Sequence, residues 1–264
     1  MTDNKKTMDI ALYFFTFLTI QLLTQVGVTN LLPWTSWGVD GMVVPLIVSM
    51  ALSGALTVGI FCRMGWCRVS PNWLRTRPWA VMIWSSMVAV GAIVPSIWLQ
   101  EQLPQLPNLA ADELNMIMKN RWGYVVIGLL VPLVEEMVFR GAIQRRLLER
   151  MAQPWMAVVI GAMLFALAHF NPAQLPHAFL VGLVLGWMYH RTGSILPGVA
   201  LHWVNNSMAY VMVNILPQPD EPLVLLFGSE ERVGLALFFS GCILVPSLLQ
   251  LANRMKRAEE NEKK

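Results

Sequence analysis

Six polar residues stand inside stretches of sequence that are otherwise apolar. An ionisable side chain within a membrane costs ~2.5 kcal/mol or more, so its presence indicates a function. A carboxylate away from bulk water is a strong base, and imidazole and amide groups stabilise developing negative charge, so this set could activate water. The same residue types also build proton relays and ion sites. The set consists of Glu135, Glu136, Arg140, His169, His202 and Asn206.

The two adjacent glutamates are predicted to have different partners. Arg140 follows Glu136 by four residues and therefore lies on the same face of a helix, where it can neutralise this carboxylate. Glu135 points about 100° away around the helix and has no local partner. It therefore needs a partner from another helix. The Glu136–Arg140 pair has a simpler interpretation, since a lone Glu–Arg pair at this spacing is more often structural than catalytic.

His169 is the partner that the sequence predicts for Glu135. The segment 150–154 is predicted to be the turn of an antiparallel helical hairpin, with Glu135 17 residues before its centre and His169 17 residues after it. Equal offsets from the turn give equal depth when both helices rise ~1.5 Å per residue. We therefore expect the carboxylate and the imidazole to meet near the middle of the membrane.

His202 and Asn206 lie four residues apart and are predicted to share one face of a later helix. Counted from Ser194, they lie roughly 12 Å and 18 Å into the membrane, close to the level of the glutamates. Two further histidines, His177 and His190, are predicted to lie at the membrane interfaces. An intramembrane histidine can also be a simple helix contact, but several polar groups at one level favour a functional site.

The composition indicates a chain surrounded by lipid. Of 264 residues, 56% are hydrophobic and only 13% are charged, which is about half the charged fraction of a soluble domain. The net charge of +3 is spread over short connecting segments and forms no basic stripe for nucleic acid. We expect membrane lipids as neighbours and no nucleic-acid partner.

The apolar runs predict an all-α, multi-pass membrane protein with about eight transmembrane helices. Lys and Arg collect in cytoplasmic segments. With both termini cytoplasmic, only Lys119, Arg121 and Arg232 of the 19 Lys and Arg residues fall outside. Residues 1–264 are therefore predicted to form a single membrane domain, with a catalytic core at 122–215. The predicted spans are 8–28, 42–62, 79–99, 122–144, 154–170, 175–190, 194–215 and 232–252.

Three short motifs resemble those of the CPBP family, which comprises the CAAX prenyl proteases and bacteriocin-processing enzymes and is also grouped under the Abi name. The family pattern is Glu-Glu-x-x-x-Arg, then Phe-x-x-x-His, then His-x-x-x-Asn or Asp. In this chain the motifs read Glu135-Glu136-Met-Val-Phe-Arg140, Phe165-Ala-Leu-Ala-His169 and His202-Trp-Val-Asn-Asn206. All three agree in order and residue type. The first three spans and the last match only in hydropathy.

The resemblance implies an intramembrane endopeptidase, a hydrolase whose site opens to the cytoplasmic side. It implies that Glu135 and His169 position and deprotonate water, that His202 and Asn206 hold the tetrahedral oxygen, and that Glu136 and Arg140 organise the site. The substrate would be a peptide or a lipidated protein. The short loops favour a bacterial cytoplasmic membrane, and the sequence does not define an oligomeric state.

Two questions stay open at the level of sequence. Glu135, His169 and His202 could bind zinc as a metalloprotease does, with an open position for water, or the same residues could run a metal-free glutamate mechanism. An ion- or proton-coupled transporter would also use carboxylates and histidines within the membrane, although its inverted repeats are not visible here. The other alternative to an endopeptidase is a noncatalytic immunity or binding protein that keeps the same fold.

Overall fold

The structure is a computed structural model that describes residues 2–31, 41–70, 79–216 and 221–262, and all regular elements within these ranges are helical. The predicted cytoplasmic connection with Arg75 and Arg77 lies outside the described residues. The helices are α1 (Thr2–Leu31), α2 (Val43–Arg63), α3 (Trp79–Glu101), α4 (Ala111–Lys119), α5 (Arg121–Arg150), α6 (Pro154–Leu167), α7 (Leu175–Thr192), α8 (Leu196–Ile215), α9 (Leu223–Phe227) and α10 (Glu230–Glu262).

A helix occupies each of the eight predicted spans, and five of these helices are long and apolar enough to cross a membrane. They are α1, α2, α3, α5 and α10, so the chain is a multi-pass helical membrane protein. Helix α6 is apolar but has only 14 residues, and it ends at Leu167 instead of at the predicted position 170. Helix α8 carries one histidine and three asparagines, which lower its hydropathy. The count of eight spans and the side of the termini stay predictions.

Helix α5 is the centre of the molecule. Within an 18-residue stretch of α5, 56% of the residues are buried, compared with 17–28% in the other four apolar helices. It contacts α1, α2, α4, α6, α7 and α8, whereas α3 packs against α8 and α10 on one side of the bundle. A helix that is buried on all sides can hold polar groups out of contact with lipid.

Two parts of α5 have the wide turns of a π-helix, in which each N–H bonds to the carbonyl five residues earlier. They cover Tyr124–Leu130 and Glu136–Gln144, and a short α-helical piece, Val131–Glu135, separates them. All nine residues of the second wide segment are buried. Glu135 and Glu136 therefore lie at the point where the helix changes from regular to wide turns.

Pro132 explains how α8 is attached to the first wide segment. Proline has no N–H, so the Ile127 carbonyl five residues earlier lacks the donor that a wide turn would provide. This carbonyl instead accepts a hydrogen bond from Asn206 Nδ2 at 3.0 Å. Four further hydrogen bonds continue along the same face of α8: Trp203 with Leu129 O, Ser207 with Tyr124, Tyr210 with Asn120 O, and Asn214 with Met118 O.

Helices α6 and α7 pack closely at Gly182 and Gly186. A Cβ atom at Gly182 would lie 3.1 Å from Ala162 Cα, so α6 and α7 are in near-backbone contact there. The two glycines also present their carbonyl oxygens to α5, where Arg140 Nη2 donates to Gly182 O at 3.2 Å and Gln144 Nε2 donates to Gly186 O at 2.7 Å. The helices α5, α6 and α7 are thus joined beside the site.

Replacing Gly182 by valine is expected to separate α6 from α7. Because the new atoms would overlap Ala162 and Phe165, we expect a loss of about 1–3 kcal/mol in the free energy of unfolding, the usual range for overpacking. Gly234→Val is the matched control, since nothing lies within 4 Å of a Cβ at that helical position. Thermal unfolding of both purified variants in detergent measures the difference. Equal melting temperatures would contradict this packing.

Candidate active site

His202 lies between the two glutamates and contacts both. Its Nε2 is 3.6 Å from Glu135 Oε2, and its Nδ1 is 3.4 Å from Glu136 Oε1. Both separations exceed an ordinary N–H···O hydrogen bond. Glu135 Oε2, Glu136 Oε2 and His202 Nδ1 are buried and form no hydrogen bond to the described part of the protein. Buried polar atoms without a partner are rare and often mark a reactive site.

The two carboxylates have different surroundings. Glu136 is fully buried, and its Oε1 accepts a hydrogen bond from Arg140 Nη1 at 2.8 Å, so the pairing predicted from their spacing is confirmed. Arg140 is itself 1% exposed. The side chain of Glu135 is 13% exposed and has no arginine partner. One carboxylate is therefore paired within the protein, whereas its neighbour is slightly exposed and forms no ion pair with a Lys or Arg among the described residues.

Gly198 makes room for the Glu136 side chain. It lies four residues before His202 on α8, and a Cβ atom at this position would overlap Glu136 Oε2. The backbone of α8 can therefore approach α5 at the level of the glutamates. This approach brings the imidazole of His202 between the two carboxylates.

The ring of Phe165 joins three polar residues of the site. Its centroid is 5.0 Å from that of His169 and 5.8 Å from that of His202, in both cases with nearly perpendicular planes. The guanidinium carbon of Arg140 lies 4.3 Å from the same centroid, a cation–π contact. Phe165 is 1% exposed. The phenylalanine of the second motif thus fixes both imidazoles and the buried cation.

His169 belongs to this cluster, but it forms no hydrogen bond or ion pair with Glu135. Its Nδ1 is 2.9 Å from Phe165 O. A carbonyl oxygen only accepts hydrogen bonds, so Nδ1 carries the proton and Nε2 presents a lone pair in the neutral imidazole. His202, not His169, is therefore the imidazole within ion-pair distance of Glu135, and the expected meeting of His169 with Glu135 stays a prediction.

Two departures from regular helix change the depth comparison on which that prediction rests. The wide turns of Glu136–Gln144 rise less per residue than an α-helix, so Glu135 is closer to the hairpin turn than its residue count suggests. Helix α6 ends at Leu167, and His169 lies in the tight turn that follows. The predicted hairpin itself is present, with α5 ending at Arg150 and α6 beginning at Pro154.

Asn206 lies one helical turn beyond His202 and uses its amide to hold α8 against α5. Besides the bond from its Nδ2 to Ile127 O, its Oδ1 accepts a hydrogen bond from Asn205 Nδ2 at 3.2 Å. A primary amide has two N–H donors, so one of them remains for a further acceptor. Among the described residues, no side-chain hydrogen bond joins Asn206 to the glutamates or to His202.

His177 was missed as a candidate by sequence reasoning. Its imidazole interacts with the side chain of Asn205 and lies close enough to His169 and His202 to interact with both electrostatically. The prediction of an interfacial position placed it at the outer start of a predicted span, whereas the turn between α6 and α7 lies next to the site. Because His169 and His177 flank this turn, their sequence separation alone could have indicated that they lie at one level.

The predicted zinc ligands are not gathered into a metal site. Among the described residues, no group of three His, Cys, Asp or Glu side chains is arranged so that it could hold a metal ion. Glu135 and His202 face each other, while His169 contacts the backbone of its own helix. The donor set therefore does not fit zinc in this arrangement, and zinc binding stays a prediction.

The fold and the site together define a helical membrane protein with a buried carboxylate–histidine centre. Residues 118–208 match the family model described as Rce1-like, type II CAAX prenyl endopeptidase. The matched segment contains all three motifs, and the match confirms the resemblance to the CAAX proteases. It supports a hydrolase of the endopeptidase class with a peptide or protein substrate. Neither the curated proteins nor the solved structures with which the chain was compared gave a match.

Replacing Arg140 by methionine is expected to leave Glu136 as an unpaired buried charge. Breaking one partner out of a buried ion pair costs about 3–5 kcal/mol in the free energy of unfolding. The double variant Glu136→Gln with Arg140→Met should recover a large part of this loss, because it removes both charges. Unfolding in detergent, with Arg232→Met as the exposed control, tests the expectation. A double variant less stable than Arg140→Met would contradict it.

Proposed function

We propose that this protein hydrolyses a peptide bond inside the membrane, with Glu135 as the base that deprotonates water. The observation that carries the proposal is the difference between the two adjacent glutamates. Glu136 is fully buried and paired with Arg140, whereas Glu135 is partly exposed and has a buried oxygen without a hydrogen bond. Two carboxylates in different environments are typical of hydrolytic sites in which only one of them reacts.

The water is proposed to lie between Glu135 and Nε2 of His169. Glu135 takes a proton from the water, and the oxygen of the resulting hydroxide forms a bond to the carbonyl carbon of the peptide. The carbon–nitrogen bond then breaks, and the proton held by Glu135 passes to the leaving amine. This sequence needs no co-reactant besides water, and general-base catalysis of this kind contributes about 10²–10⁴-fold to the rate.

His202 and the free amide hydrogen of Asn206 are proposed to stabilise the negative oxygen of the tetrahedral intermediate. Donors fixed before the reaction are effective because the site does not have to reorganise when the charge develops. The five hydrogen bonds between α8 and the α4–α5 region support this role, since they hold the helix that carries both residues. Glu136 and Arg140 support the site without reacting.

The proposed substrate is a peptide or a lipidated C-terminus presented near the predicted cytoplasmic side. The match to a prenyl endopeptidase family supports this substrate class. A prenylated peptide and its unprenylated counterpart distinguish a lipid requirement from simple endopeptidase activity. The proposed location is a cell membrane, with the bacterial cytoplasmic membrane as the favoured case.

Glu135→Gln is expected to abolish cleavage without unfolding the protein. Glutamine has the shape of glutamate but cannot accept the proton, so we expect at least about a 100-fold loss of kcat. The melting temperature should stay close to that of the wild type. Internally quenched prenylated and unprenylated peptides, incubated with the purified chain in detergent, measure the rate. Glu113→Gln, on the exposed surface of α4, is the matched control.

Cleavage by Glu135→Gln at the wild-type rate would exclude Glu135 as the base. Absence of cleavage by the wild type on both peptides, in a preparation that is folded by thermal unfolding, would favour the transporter or the noncatalytic alternative. Ion or proton flux across proteoliposomes then separates those two. A change in flux caused by Glu135→Gln would support the transporter.

Removal of metal ions is expected to leave the activity unchanged, because the proposed steps use only water and the side chains of Glu135, His169, His202 and Asn206. The test combines elemental analysis of the purified protein with cleavage before and after chelation. Zinc and cobalt are then added back. Loss of activity on chelation, with recovery on adding zinc and one bound zinc per chain, would overturn the metal-free mechanism and support the zinc ligands predicted from the sequence.

A further inference from the structure

His169 lies in the turn that follows α6, beyond the last residue of the regular helix. Helix α6 ends at Leu167. The His169 N–H donates to Ala166 O at 3.1 Å, so this bond spans three residues, whereas an α-helical bond spans four. Phe170, the next residue, has a φ of 49°, in the left-handed region that bulky side chains rarely adopt. Such a conformation persists only where surrounding contacts hold it. The position of His169 therefore depends on contacts made by this turn.

Asn171 provides those contacts, two residues after His169. It is 1% exposed, and both ends of its amide form hydrogen bonds. Its Oδ1 accepts from the Leu109 N–H at 3.1 Å, and its Nδ2 donates to Asn108 Oδ1 at 2.8 Å. The N–H of Ala173 donates to Pro107 O at 3.3 Å. Three hydrogen bonds thus attach the turn to a segment more than 60 residues earlier in the chain.

We propose that Asn171 is a positioning residue for hydrolysis and that it holds His169 by clamping the turn to the segment 107–109. This inference rests on the proposed function, in which His169 orients the attacking water. The segment 107–109 precedes α4 and is predicted to lie on the outer side of the membrane. The loop between α3 and α4 is then part of the catalytic apparatus, although it contributes no residue that touches the substrate.

The contacts predict a specific kinetic effect. When the clamp is removed, the turn can relax and His169 moves with it, and a displacement of about 1 Å in a reacting group can reduce the rate by ~100-fold. His169 acts on water and not on the peptide, so kcat should fall while KM stays nearly constant. A purely structural role for Asn171 would instead lower the melting temperature and leave kcat of the folded protein unchanged.

The test compares substitutions at both ends of the side-chain hydrogen bond in the full-length protein. Asn171→Ala removes two of the three bonds and is expected to lower kcat by about 10- to 100-fold, with KM within about twofold of the wild type. Asn108 is exposed, so its substitutions should fold. Asn108→Ala loses one bond and should lower kcat by about threefold, whereas Asn108→Asp keeps the acceptor oxygen and should behave as the wild type.

Hydrogen–deuterium exchange supplies a readout that is independent of cleavage. In Asn171→Ala, the amide of Leu109, which donates to Asn171, should exchange faster than in the wild type, and so should the amide of Ala173. The proposal is supported if exchange is faster, if kcat of Asn171→Ala falls, and if kcat of Asn108→Ala is lower than that of Asn108→Asp. The clamp is overturned if Asn171→Ala retains wild-type kcat while Glu135→Gln is inactive, or if exchange at Leu109 is unchanged. Absence of wild-type cleavage would refute the proposed function itself.

Discussion

The buried ion pair between Glu136 and Arg140 is the interaction on which the arrangement of this protein depends. Two charges removed from water are tolerated only when their geometry is good and additional hydrogen bonds satisfy them. Here the guanidinium also reaches Gly182 O and the face of Phe165, while Gly198 leaves space for the carboxylate. Helices α6, α7 and α8 must therefore all approach α5 at one level. His169, His177 and His202, which lie on these helices or in their adjoining turns, converge there as a result.

Irregular backbone in α5 makes this convergence possible. Within a membrane, each backbone polar group needs a partner inside the protein, and non-helical geometry is tolerated only where protein surrounds it. In the first wide-turn segment, the carbonyl groups of Ile127 and Leu129 accept hydrogen bonds from side chains of α8. The result is a helix pair held by side chain to backbone bonds instead of by small residues alone. This attachment lies beside the glutamates, where a displacement of α8 would move His202.

Hydropathy predicted the positions of the helices, and the four-residue spacing predicted the Glu136–Arg140 pair, because both depend on local sequence. The partner of Glu135 was not predictable in the same way. The depth argument assumed a uniform rise and a helix that continues to position 170, but α5 widens after Glu135 and α6 ends at Leu167. The bond from Asn206 to Ile127 O depends on a backbone carbonyl made available by Pro132. His177 was assigned to the interface because it follows Pro176 at the outer start of a predicted span.

The wide turns of α5 also determine the angular register of the whole helix. A regular α-helix turns by about 100° per residue, so inserting or deleting one residue rotates everything beyond that point by this angle. A wide turn absorbs one extra residue without such a rotation, because the surplus is taken up within the turn. Tyr124 faces Ser207 and Glu135 faces His202 on the same partner helix, and the 11 residues that separate them on α5 correspond to about three regular turns. An insertion or deletion between these two contacts would therefore have to be taken up within a wide turn if both contacts are to persist.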